Sequence, residues 1–142
     1  MVTRGVADAS VFIAREVDRP LEVSALPDEL AVSVITVGEL RAGVLVADDI
    51  ETRDRRLSTL AAVLALEPLP IDGKVADAWA RLRVSLREAG LRMPVNDSWI
   101  AATALAHRIP LVTQDRDHIA VAGLRIIAVW VRQRVLVRCG HG

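Results

Sequence analysis

Four acidic residues stand at the ends of short apolar segments that are far apart in the sequence. Asp8 follows the first apolar segment, Glu39 lies one helical turn past the second, and Asp115 comes just after the third. Asp97 begins a helix-forming segment that is also apolar and that leads into the third of these short apolar segments. In open parallel sheets, ligands bind outside the carboxyl ends of the strands. If the segments are such strands, the pattern predicts a cluster of carboxylates at one edge of a sheet.

Such a cluster indicates a divalent metal ion. Carboxylates held close together raise one another's pKa and oppose folding unless a cation neutralises them. The predicted ligands are oxygen atoms alone, which favours Mg²⁺, with Mn²⁺ able to replace it, over Zn²⁺. A divalent ion in such a site polarises a phosphodiester and lowers the pKa of its bound water. The chemistry that these residues indicate is phosphodiester hydrolysis.

Each acid also has an ordinary structural explanation. Asp8 and Asp97 are suited to capping helix N-termini, and Asp115 is suited to a turn. Thr36 and Glu39 have the spacing of a capping box, in which the glutamate bonds back to the cap amide. Taken singly these explanations are the simpler ones. Taken together, they leave the carboxylates at one edge without a cation fixed among them.

The elements that would position these side chains alternate along the chain. Strands are predicted at residues 5–7, 30–35, 110–113 and 124–129. Helices are predicted after the Asp8-Ala9-Ser10 cap and over residues 36–46, 48–64, 73–89 and 99–107. Strands alternating with helices predict a parallel sheet covered on both faces, which is an α/β sandwich of three layers.

Length and composition describe one domain with a sizeable core. The chain has 142 residues, of which 52% are hydrophobic, and no repeat or linker divides it. We expect a domain over residues 1–130 and a basic, poorly ordered tail over 131–142. No apolar run reaches the ~18 residues that cross a bilayer, and no leader opens the chain, so we expect a cytoplasmic protein without membrane contact.

The charged residues exclude nucleic-acid binding by bulk charge alone. Eighteen Lys and Arg balance eighteen Asp and Glu, whereas phosphate affinity needs a local excess of cations. All of these cations except Lys74 are arginine, the side chain suited to bidentate phosphate contacts. A GC-rich genome explains the arginine bias equally well. Trp79 and Trp99 are most simply core residues, with stacking on RNA bases as the alternative.

Four motifs together resemble the PIN-domain family, and more narrowly the VapC-type ribonuclease toxins. They are Asp8-Ala9-Ser10, Thr36-Val37-Gly38-Glu39-Leu40-Arg41-Ala42-Gly43, Asn96-Asp97-Ser98-Trp99-Ile100-Ala101-Ala102 and Thr113-Gln114-Asp115-Arg116-Asp117. The resemblance runs from Val6 to about Val129 in the family's order and spacing. It implies a parallel sheet of about five strands between helices and a Mg²⁺-dependent endoribonuclease.

The resemblance also implies roles for individual residues. Asp8, Glu39, Asp97 and Asp115 are similar to the family's metal-binding and catalytic acids, and Asp117 to a further acid. Ser10 and Thr113 resemble hydroxyl groups that orient water or ligand. Arg41 lies on the helix of Glu39, where it either positions phosphate or pairs with an acid.

The implied partners are an RNA substrate, a VapB-like antitoxin that inserts a peptide into the groove, and a second copy of the chain. Two related functions stay open, namely a PIN nuclease in housekeeping RNA processing and a catalytically silent binding module. A phosphoacceptor receiver domain is a weaker alternative, because Asp8 lacks an acidic neighbour and Lys74 does not follow a late strand.

Overall fold

A computed structural model describes residues 1–115 and 120–131 of the chain. Its elements, in chain order, are β1 (Arg4–Ala7), α1 (Ala9–Glu16), a 3₁₀ turn (Val23–Ala25), β2 (Glu29–Ala31), α2 (Val34–Leu45), α3 (Ile50–Leu64), α4 (Gly73–Glu88), α5 (Val95–His107), β3 (Leu111–Thr113) and β4 (Ile126–Ala128). Asp117 and the predicted tail beyond residue 131 lie outside the described residues.

The four strands of the described ranges form one parallel sheet in the order β2-β1-β3-β4. β1 is central, because Val6 pairs with Ala31 on one side and with Leu111 on the other. Parallel neighbours need crossover connections, and the helices provide them. The predicted α/β sandwich is confirmed, with four strands in the described ranges where about five were expected.

Adjacent residues of the central strands point to opposite faces of the sheet, and helices cover both. Ala7 and Val112 pack against one cluster, which includes Val11 of α1 and Val63 of α3. Val6 and Leu111 pack against the other cluster, which includes Ile100 and Ala104 of α5. Strands buried on both faces read as continuous apolar runs, as these do.

Two predicted boundaries were wrong, and both errors concern helix starts. The second strand ends at Ala31 rather than at residue 35, and the Ser33 side chain caps α2 by accepting the Ile35 N–H at 3.1 Å. Thr36 and Glu39 therefore lie inside α2 and form no capping box. α5 begins at Val95 after Pro94, so Asp97 lies in its first turn and is not its cap.

Gly5 of β1 sits where the backbone has no room for a side chain. A Cβ at this position would lie 2.7 Å from Val112 Cγ2, 3.3 Å from the Pro110 carbonyl oxygen and 3.3 Å from Pro27 Cγ. Val112 is fully buried, so it cannot rotate away into solvent. The glycine thus permits the close approach of β1 and β3, the strands that carry Asp8 and Thr113 at their carboxyl ends.

No helix within the described ranges is both long enough and apolar enough to span a membrane.

Candidate active site

Asp8 directly follows the central strand and begins α1. Its Oδ1 accepts the Ser10 N–H at 3.1 Å and also the Ser10 hydroxyl, so the helix-capping interpretation of Asp8 is confirmed. Its backbone N–H donates to the Val112 carbonyl at 3.0 Å, which ties the residue to β3. Asp8 is half-buried at the edge of the sheet. The cap therefore fixes a carboxylate where parallel strands end.

Ser10 connects Asp8 to the residues that follow β3. The Ser10 oxygen accepts the Gln114 N–H at 2.9 Å and lies 3.4 Å from Thr113 Oγ1. Thr113 Oγ1 in turn accepts the Asp115 N–H at 3.0 Å. Thr113 is fully buried, whereas Asp115 is exposed. Two predicted hydroxyl residues thus join segments that are a hundred residues apart.

Gln114 is a site residue that the sequence analysis missed. Its side-chain Nε2 donates to the carbonyl oxygens of Pro20 and Val129, at 3.0 and 3.1 Å. These bonds hold the turn after β3 against the loop after α1 and the end of β4. The signal that could have found it is its place between Thr113 and Asp115, where an amide can bond two backbone groups at once.

Glu39 lies half-buried on α2 and carries the clearest electrostatic perturbation of the site. Burial raises its pKa above the usual value, and the negative charges of Asp97 and Asp8 raise it further. A hydrogen bond from the Asn96 side chain opposes this shift. Two buried atoms of α2, Glu39 Oε1 and Thr36 Oγ1, have no hydrogen-bond partner among the described residues.

Asn96 and Asp97 reach the same region from the first turn of α5. Asp97 is half-buried, and its charge acts on Glu39 across the α2–α5 contact. A carboxylate in a first turn is stabilised by the positive end of the helix. The sequence pattern does not predict the contact of Asn96 with Glu39. Nothing in the spacing of the two residues indicates which helix an asparagine amide will face.

The structure brings three of the predicted acids, Asp8, Glu39 and Asp97, close enough to interact electrostatically. The Asp115 backbone N–H donates to Thr113 Oγ1, which lies 3.4 Å from Ser10 Oγ, so the segment that carries Asp115 is linked to the segment that carries Asp8. Arg41 is exposed on α2. Across residues 1–115 and 120–131, no three His, Cys, Asp or Glu side chains are arranged tightly enough to hold a metal ion as they stand. The roles predicted for the individual residues stay predictions.

Comparison with known proteins identifies the architecture that carries this site. The sequence model of the PIN-domain family matches residues 6–124, which is most of the chain. This range contains Asp8, Glu39, Asp97 and Asp115. The chain belongs to the PIN-domain family. The resemblance drawn from the four motifs is thereby confirmed, and a receiver domain is excluded.

Two curated PIN-domain relatives come from Mycobacterium tuberculosis. Ribonuclease VapC5 is 46% identical over 125 residues, covering 88% of this chain and 93% of that protein. Ribonuclease VapC4 is 49% identical over 128 residues, covering 90% of this chain and 98% of that protein. The chain is therefore similar to VapC ribonucleases along nearly its whole length.

A solved structure gives the same result for the fold. The crystal structure of VapBC-5 from Mycobacterium tuberculosis, a member of the VapBC family of toxin–antitoxin systems, matches with a TM-score of 0.81. The match has 44% sequence identity and covers 89% of this chain and 99% of the solved one. The PIN fold described above is thus one that toxin–antitoxin proteins use.

Proposed function

We propose that this PIN-domain protein is a metal-dependent endoribonuclease that acts as the toxin of a toxin–antitoxin pair. The observation that carries the proposal is the half-buried Glu39 carboxylate, whose pKa is raised by its burial and by the negative charges of Asp97 and Asp8. Relatives that are named ribonucleases match nearly the whole chain. The reaction is hydrolysis of an RNA phosphodiester bond.

The donor chemistry of the residues present fits a divalent ion. The buried Glu39 Oε1 lacks a hydrogen-bond partner among the described residues, and a cation would supply the missing partner. Within the same part of the chain, no Lys or Arg forms an ion pair with Asp8 or Glu39. All donors are carboxylate oxygens, which favour Mg²⁺ and accept Mn²⁺. We therefore assign Asp8, Glu39, Asp97 and Asp115 as its ligands, with Asp117 as a further acid.

When bound, the ion would supply Lewis-acid polarisation of the phosphate and a lower pKa for attacking water. The chain's own groups do the positioning. Ser10 donates to Asp8 and accepts from the turn after β3, so it fixes one carboxylate relative to the segment that carries Asp115. Thr113 orients that segment through the Asp115 N–H. We further propose that Arg41, which is exposed on α2, contacts the RNA backbone.

The decisive experiment compares cleavage of RNA by the wild-type protein and by Asp97→Asn, each with Mg²⁺ and with chelator. We expect cleavage that the chelator abolishes and that Asp97→Asn lowers by on the order of 100-fold or more, because a positioned charge is removed. Asp54→Asn, an exposed acid on α3, is the matched control and should cleave like the wild type. Absence of metal-dependent cleavage would leave the silent binding module as the better interpretation.

We also propose a cognate VapB-like antitoxin, a homodimer and a cytoplasmic location, where cellular RNA is the substrate. The likeness to the solved structure of VapBC-5, a member of the VapBC family of toxin–antitoxin systems, supports the antitoxin. Three large apolar side chains at the α2–α3 junction, Leu45, Val46 and Ile50, are 66%, 70% and 83% exposed and offer surface for such partners. A short reading frame for a DNA-binding protein beside this gene would support the pairing. Its absence would favour housekeeping RNA processing.

A further inference from the structure

A groove of about 930 Å³ runs along α4 and the turn after it, and its lining carries a strong charge bias. Three arginines line it, Arg83, Arg87 and Arg92, and no acidic residue does. Within the described residues none of the three forms an ion pair, whereas Arg81 on the same helix is paired with Asp77 at 2.9 Å. The groove therefore presents uncompensated positive charge on a chain whose net charge is zero.

One end of the groove is built on a rigid aromatic stack. Trp79 and Trp99 stack with ring centroids 4.3 Å apart and planes 4° from parallel. The Arg83 guanidinium lies 5.1 Å from the Trp79 centroid. Trp99 thus stacks on Trp79, and Arg83 adds a positive charge over the Trp79 ring. This end of the groove therefore combines stacked aromatic rings with a guanidinium group.

The stack is fixed to the segment that carries a site carboxylate. Trp79 Nε1 donates to Ser98 Oγ at 3.0 Å, and Ser98 Oγ donates to the Val95 carbonyl at 2.5 Å. Ser98 is fully buried, and in the sequence it lies between Asp97 and Trp99. The first turn of α5 thus holds Asp97 and anchors the aromatic end of the groove.

We propose that this groove binds unpaired nucleotides of the RNA that flank the phosphate being cleaved, a proposal that rests on the ribonuclease function. Unstacked bases bind on aromatic rings and on guanidinium planes, and the Arg83–Trp79 stack supplies such a surface. Arg87 and Arg92 supply cations for the neighbouring phosphates. Paired bases hide their faces within the helix, so the groove selects single-stranded segments over duplex.

An acidic peptide would also satisfy the positive charge of the groove. RNA is the better match, because it alone brings both the phosphates and a flat ring to place on the stack. The peptide is therefore an outcome that the test must distinguish.

The test measures binding of a fluorescent single-stranded RNA oligonucleotide by anisotropy, in chelator so that nothing is cleaved. The double variant Arg83→Gln/Arg87→Gln is compared with the wild type and with Arg81→Gln, which removes one positive charge from the same helix outside the groove. We expect the double variant to bind about 10-fold or more weakly. The slope of its log affinity against log salt concentration should become shallower by about 0.7 for each phosphate that the protein no longer neutralises. Arg81→Gln should bind like the wild type.

Cleavage kinetics separate this proposal from the function on which it rests. With Mg²⁺, the double variant should raise KM for single-stranded RNA while leaving kcat close to the wild-type value. If the wild type cleaves RNA and the double variant has an unchanged KM, the groove is not the binding site although the enzyme is a ribonuclease. If the wild type neither binds nor cleaves RNA, both proposals fail. Weakened binding of the antitoxin with unchanged binding of RNA identifies a peptide surface and overturns the groove proposal.

Discussion

At the scale of single residues, the site is defined by which polar atoms have partners and which do not. Asp8 combines two roles that are usually alternatives, since it caps α1 and also stands at the carboxyl edge of the sheet. Glu39 has the opposite character, because it is half-buried beside two other acids and its Oε1 has no partner among the described residues. The site therefore stores electrostatic repulsion when no cation is bound.

The raised pKa of Glu39 gives a prediction for stability without metal. A carboxyl whose pKa is higher in the folded state than in the unfolded state destabilises the fold as pH rises through that interval. The penalty is absent below the ordinary value of 4.5 and complete above the folded value. We expect Glu39→Gln to melt above the wild type at pH 7 in chelator, and this difference to shrink as the pH falls towards 4.5.

Thermal melts of both proteins across this pH range measure the effect directly. Asp54→Asn is again the control, since an exposed substitution changes stability by no more than about 0.5 kcal/mol. A Glu39→Gln protein that melts below the wild type at pH 7 would contradict the claim that the buried charge of Glu39, near Asp97 and Asp8, destabilises the fold without metal.

At the scale of elements, the site depends on how closely β1 and β3 approach each other. Gly5 and Val112 set that approach, and the hydrogen bonds from Val6 N–H to the Pro110 carbonyl and from Asp8 N–H to the Val112 carbonyl follow from it. Ser10, beyond the end of β1, can then reach Gln114. A small change in strand separation is thus transmitted to the carboxylates.

Gly5→Ala should therefore destabilise the protein by about 1–3 kcal/mol, the usual cost of overpacking a buried position. Gly38→Ala is the matched control, because Gly38 lies within α2 and a Cβ there meets nothing within 4 Å. That substitution should stabilise by about 0.5–1 kcal/mol through helix propensity. Denaturant unfolding measures whether each substitution lowers or raises the free energy of unfolding. If Gly5→Ala changed this free energy as Gly38→Ala does, the close contact between β1 and β3 would not limit the size of residue 5.

The element scale also shows how far sequence reasoning reaches. Apolar runs predicted the three strands around the site, and the capping residue Asp8 marked the start of α1 correctly. The sequence analysis missed Ser33 as a cap because it lies within a run of apolar, β-branched residues. A buried strand and the buried start of a helix both give such a run, so the sequence pattern does not distinguish them. Periodicity locates elements, but the partners of an amide such as Gln114 depend on tertiary contacts that local sequence does not encode.

At the scale of the whole molecule, the site joins the two ends of the domain. Asp8 and Glu39 come from the first part of the chain, and Asp97 and Asp115 from the last part, with α3 and α4 between them. An ion held by all four would connect segments that are otherwise linked through the sheet and its helices. Metal binding and global stability are then coupled.

Mg²⁺ should accordingly raise the free energy of unfolding, by about 2.7 kcal/mol at a concentration one hundred times its Kd. Asp97→Asn should lose most of this gain, because one ligand is neutralised. The measurement is the Tm in chelator and over a series of Mg²⁺ and Mn²⁺ concentrations. An Asp97→Asn protein with the full wild-type gain would show that the ion binds elsewhere.

The central position of β1 has a consequence for the cell that makes this protein. β1 leaves the ribosome long before its partner β3, although Val6 pairs with Leu111 in the folded sheet. Until then the nascent polypeptide cannot bring Asp8 against the turn after β3. The translation machinery therefore has to synthesise β3 and the turn after it before any catalytic centre that could attack its own RNA is assembled.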